Sequence, residues 1–100
     1  MLSTKAYEAN QVVTLKTVYG EEIISRIAEE TETSYRLTKP MVLISTPQGG
    51  FGLAPAVFSI GPTDSVMLNK AAVTLHGPTE KEMASQNLSN TTGIKLATSL

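Results

Sequence analysis

The sequence predicts an all-β protein, a small β-barrel begun by a strongly bent meander and followed by a short helix. Three observations predict it. β-branched and apolar residues alternate with polar ones in short runs, beginning with VVTLKTV at 12–18. Turn residues separate the runs at Tyr19-Gly20, at Pro47-Gln48-Gly49-Gly50 and at Gly61-Pro62-Thr63-Asp64. Proline also stands inside two runs, at Pro40 and Pro55, where a flat central strand would not accept it but a bend or bulge would.

The chain has 100 residues, enough for a single domain (1–100) with a modest core. Within it, residues 11–76 are expected to form the barrel, 77–93 the helix and 94–100 a tail. Only 17% of residues are charged, so apolar surface is left over and self-association is expected. A net charge of −1 argues against a broad basic face for nucleic acid. It leaves room for a narrow basic ring or slot. There is no cysteine, which excludes disulfides and thiolate metal sites. No apolar run reaches the roughly 20 residues of a membrane span, and the N-terminus lacks the apolar core of a signal peptide. A soluble, cytoplasmic protein is expected. The glycosylation patterns at Asn87 and Asn90 are then idle.

In chain order, Met1–Asn10 holds either a brief helix capped by Ser3 or a loose tail. Gln11–Val18 is a strand with Val13, Leu15 and Thr17 on one face. Val12 and Val18 lie on the other, so the outer face should also contact something. Glu21–Glu29 reads as the second strand, with Ile23, Ser25 and Ile27 on one side; its helix formers keep a helical alternative open. Glu29 to Thr33 reads as a polar, solvated turn. Ser34–Ser45 is the third strand, bent at Pro40, with Tyr35, Leu37, Met41 and Leu43 on one parity. Phe51–Ser59 returns alongside it. Ser65–Asn69 and Val73–His76 are short closing strands joined by Lys70-Ala71-Ala72, and their edges invite pairing with a neighbouring subunit. Thr79 and Glu82 have the spacing of a capping box, and Met83, Ala84 and Leu88 form a narrow apolar stripe behind it. Ile94, Leu96 and Leu100 mark a tail able to dock.

No catalytic constellation is present. His76 is the only histidine and Asp64 the only aspartate, with no nucleophile elbow to accompany them. His76 therefore reads as structural or incidental, and no metal or cofactor is expected. The glutamates at 21–22 and 29–32 lack the spacing of a calcium loop. Gly49-Gly50-Phe51-Gly52 has no Lys-Ser/Thr or helix after it, so it is a hairpin turn and not a phosphate loop. The cations worth marking are Lys39, before the Pro40 bend, and Lys70, beside Asn69 in the last turn. Taken singly, each is a solvated lysine. Repeated around a ring, they would form a basic circle.

The hairpin VVTLKTVYGEEIISRI, the bent SYRLTKP strand and the closing VMLNKAAVTL strands resemble the Sm-like family over roughly residues 11–76. Together with GLAP and PTEKEMASQNLSNTTGI, they look most similar to Sm-like proteins of cyanobacterial tailed phages. The resemblance implies a bent five-stranded barrel and a homo-oligomeric ring of roughly five to seven subunits joined by strand pairing. It also implies non-catalytic binding of single-stranded RNA, with Thr38, Lys39, Asn69 and Lys70 at the pore or rim. The sequence departs from the family at its usual RNA pocket, where Thr33, Ser34 and Thr38 stand in place of an Asp and an Asn. The alternative function is a structural scaffold ring that binds protein partners.

Overall fold

The computed structural model describes residues 6–57, 59–60 and 65–85. Within them six strands form one antiparallel sheet: β1 (Val12–Thr17), β2 (Glu22–Glu30), β3 (Ser34–Ser45), β4 (Phe51–Pro55), β5 (Ser65–Asn69) and β6 (Val73–Pro78). The sheet order is β4-β3-β2-β1-β6, with β5 also pairing β3. The all-β expectation holds, and the helical alternative for residues 21–29 is replaced by a strand paired on both sides.

The six runs read from the sequence are all strands, one more than the five that the family resemblance implies, and the return run ends at Pro55 rather than continuing to Ser59. β4 lies against Met41–Ser45 and β5 against Ser34–Thr38, so successive halves of β3 serve two partners. β6 pairs with β1 on the far side of the sheet, and a 3₁₀ turn, Lys70–Ala72, links it to β5. Leu68 of β5 and Val73 of β6 pack on the same inner cluster, which draws the two edges towards each other. Among the described residues they do not pair, and the sheet stays open there.

Three register shifts decide which residues face inward, one where β6 carries the extra residue Thr74 against β1 and two between β2 and β3. In β3, Ile24 and Arg26 of β2 oppose Met41 and Thr38, so β3 carries one extra residue. Lys39 sits in that bulge with a left-handed φ of 48°, and Pro40 follows without a donor to lose. The extra residue reverses the parity. Tyr35 and Leu37 join Val13, Leu15, Ile23 and Ile27 in the inner core, whereas Met41 joins Ile24 and Leu53 in a second cluster on the opposite face. The single face predicted for Tyr35, Leu37, Met41 and Leu43 is thereby corrected. The hydroxyl of Ser25, fully buried, donates to the Thr38 carbonyl at the bulge (3.2 Å).

The second bulge lies in β2, where Ile27 and Glu29 oppose Leu37 and Arg36. Here β2 carries the extra residue. Ile27 and Glu30 consequently share the inner face, while Glu29 points out to a surface ion pair with Arg36.

The outer cluster is covered as the two-faced β1 pattern required. Val12, Leu43 and Met83, the last from helical residues 81–85, pack on it. The predicted capping box is not the cap observed. Glu80 accepts the Met83 amide (2.7 Å), while the Thr79 hydroxyl bonds that of Thr14 (2.8 Å) and ties the helix start to β1. The predicted extension of the helix to residue 93, and the tail at 94–100, lie outside the described residues. Among the described residues no helix is long and apolar enough to cross a membrane.

The left-handed Lys39 gives a direct test of the bulge. Lys39→Val should lower stability by about 1–2 kcal/mol, because a β-branched residue resists that conformation, while Lys39→Gly should be neutral or stabilising. Urea unfolding of the two variants checks both.

Candidate functional site

The site begins with an inward-facing acid. Glu30 is only 4% exposed, and burial without partners would force its carboxyl to protonate. Its three partners come from two distant parts of the chain. Oε2 accepts from Lys70 Nζ at 2.8 Å, across 40 residues of sequence. Oε1 accepts the backbone amides of Ala6 (3.0 Å) and Tyr7 (3.1 Å). The N-terminal segment is thus neither helix nor loose tail over residues 6–10. It is strapped across the sheet, with Asn10 in a left-handed turn (φ 69°) and its amide on the Ile27 carbonyl.

Aromatic rings close over this pair. The Lys70 ammonium lies 5.0 Å from the centre of the Tyr35 ring, within cation–π range. Tyr7 packs against both Tyr35 (centroids 6.3 Å apart) and His76 (5.7 Å, edge-on), which also touch each other. Its hydroxyl and His76 Nδ1 are 2.6 Å apart and share one proton in a hydrogen bond. His76, read from sequence as structural or incidental, has this defined partner. Burial, then the neighbouring Tyr35 and Glu30, raise the Tyr7 pKa; burial, then Glu30, raise that of Tyr35.

The turns around the pair are built locally. Asn69 Oδ1 accepts the Ala71 amide (2.9 Å), capping the 3₁₀ turn, and the Lys70 amide donates to the Thr33 carbonyl (2.8 Å). The β2–β3 turn is held by Thr31, whose Oγ1 accepts the Ser34 amide (3.0 Å). The two turns therefore lie side by side at one end of the sheet.

The four residues singled out from sequence do not gather at one place. Asn69 and Lys70 sit at this end, Asn69 opposite Ser34. Thr38 and Lys39 sit at the β3 bulge, with Thr38 opposite Ser65 at the other end of β5. Four residue steps along the strand separate the two spots, roughly 13 Å. Lys70 is not a solvated lysine, since its side chain is 27% exposed and engaged by Glu30.

Sequence reading placed Glu30 in a solvated turn, and the structure corrects this. One signal was available. Adjacent residues of a strand face opposite sides, so either Glu29 or Glu30 had to face inward if β2 extended through both. The Ala28 bulge, which selects Glu30, has no marker in the sequence. No family model and no curated protein matches this chain.

Glu30 sets an acid limit on stability. Burial alone would raise its pKa, but the Lys70 hydrogen bond, the Tyr7 and Ala6 amides and the Lys70 charge together hold it below the ordinary 4.5. A depressed folded-state value stabilises the fold above 4.5 and loses that contribution as pH falls through the folded value. Glu30→Gln should cost about 2 kcal/mol near neutral pH, less than the ~3–5 kcal/mol for breaking a fully buried pair, because Lys70 keeps access to water. The variant should also lose less stability than the parent between about pH 6 and about pH 3. Urea unfolding across that range checks both.

Proposed function

We propose that the chain is a non-catalytic subunit of an Sm-like ring that binds single-stranded RNA. The observation that carries the reading is the open seam between β5 and β6. Each has one unpaired edge among the described residues, and each exposes a large apolar residue, Met67 (52%) on β5 and Leu75 (64%) on β6. Such edges are liabilities unless covered, and an antiparallel pairing of β5 with β6 of a neighbour covers both. One interface uses two different patches, so it is heterologous, and a suitable rotation closes it into a ring. An apolar cavity of about 260 Å³, lined by Ile23, Leu37, Val66 and Leu68, opens beside this seam and supplies further surface for a neighbour to cover.

Ring closure would repeat the Asn69-Lys70 turn and its Tyr35–His76 neighbourhood once per subunit. Repeated cations beside aromatic faces are what single-stranded nucleic acid requires. Thr38 and Lys39 would form a second circle at the bulge end. A scaffold ring that binds protein partners is favoured by one observation, that Glu30 already neutralises Lys70.

Native mass spectrometry on protein purified without nuclease tests these readings. The RNA-binding reading predicts a discrete ring of several subunits carrying mass that RNase removes; an empty ring supports the scaffold, and a monomer contradicts both. Leu75→Asp or Met67→Asp should convert the ring to folded monomer, since a charge at the seam opposes pairing.

A further inference from the structure

Tyr7 occupies its place in the manner of a bound ligand. It belongs to a segment, residues 6–10, that forms no strand or helix. Its ring packs tilted (52°) on Tyr35 of β3 and edge-on (78°) to His76 of β6, two side chains from distant elements. Those two rings also contact each other, with centroids 6.2 Å apart, so Tyr7 lies in a slot beside a pair that persists without it. One edge of the ring ends in a hydroxyl on His76 Nδ1. At the backbone, two adjacent N–H groups converge on a single carboxylate oxygen of Glu30. Lys70 lies over the outer part of the same cluster and supplies the only cation in it among the described residues.

A planar ring packed against two aromatic side chains, a polar edge and two neighbouring N–H donors on a carboxylate are together the recognition chemistry of a nucleobase. Protein modules that read single-stranded RNA stack splayed bases on Tyr and His and bond their edges. We propose that the Tyr35–His76–Glu30 slot is a nucleobase site, held shut in the free protein by the N-terminal segment with Tyr7 as an internal surrogate. Guanine is the base that fits the acceptor, because its N1–H and N2–H donors are adjacent and can replace the Ala6 and Tyr7 amides on Glu30. The inference rests on the RNA-binding reading and deepens it by assigning a site, a preferred base and a competitor.

The strap must leave before a base enters, so apparent affinity is reduced by the fraction of molecules in which the slot is closed. Removing the surrogate removes that reduction. The Lys70–Glu30 pair remains when Tyr7 leaves, with the Lys70 side chain still 27% exposed to meet a phosphate, and the slot contributes base stacking and edge recognition.

Fluorescence anisotropy with two labelled oligoribonucleotides, one all uridine and one with a single central guanosine, tests the proposal on the full chain. Tyr7→Ala should bind the guanosine oligonucleotide about ten-fold more tightly than the parent does, the gain expected if the slot is closed in about nine of ten free molecules, and should gain less for the uridine one. Adding His76→Ala should remove the gain. Tyr7→Phe keeps the ring in place but loses the His76 bond, and should give a smaller gain in the same direction, which keeps the test decisive if Tyr7→Ala unfolds. Equal or weaker binding by both Tyr7 variants, with the parent binding RNA, overturns the slot and leaves the RNA reading standing. Absence of binding by every folded variant overturns both.

Discussion

The Glu30 carboxylate is the constraint on which the rest of this end of the molecule depends. A charge taken out of water costs several kcal/mol unless its lone pairs are satisfied. Here satisfaction draws in an ammonium from the 3₁₀ turn and two amides from the N-terminal segment. One acid thereby joins the end of β2, the β5–β6 connection and the strap. The surface pair between Glu29 and Arg36 is a contrast, because both side chains are about half exposed and such pairs contribute little. Two adjacent glutamates thus have unequal weight, and a single extra residue at Ala28 assigns which is which.

The bulges give the sheet its curvature and also its division of labour. Without the Lys39 bulge, Met41 would fall on the inner face with Leu37, and the outer cluster would lose its central residue. With it, β3 contributes to the inner core in its first half and to the outer cluster in its second. That switch lets one strand support β5 and the turn site at one end, and β4 and the helix-covered face at the other. The buried Ser25 hydroxyl satisfies the carbonyl that the bulge displaces, which explains a polar residue between Ile23 and Ile27.

Much of the fold was legible because strand alternation and turn chemistry are local. β3 and β5 begin and end where the residues predict, and the inward set Val13, Leu15, Ile23 and Ile27 follows from period-two patterning. Pro40 marked a bend correctly but not its consequence, since a proline does not say how many residues the bulge inserts. The candidate site was legible only in part. Asn69 and Lys70 stand out as turn residues, yet the partner of Lys70 is 40 residues away and faces inward through an unmarked bulge. Tyr7 lies in a segment with no periodicity at all. The helix cap shifted from Thr79 to Glu80 because the Thr79 hydroxyl has a tertiary partner in Thr14, which no local pattern contains.

Glu30 is a charged, multiply bonded anchor and not a solvated turn residue. Carbon-13 NMR of its side-chain carboxyl, followed through an acid titration, tests this most directly. The expected midpoint lies below the ordinary 4.5, and it should shift upward in a Lys70→Met variant that leaves burial in place and removes the strongest donor. A midpoint at or above 4.5 in the parent protein, or one that Lys70→Met leaves unmoved, would contradict it.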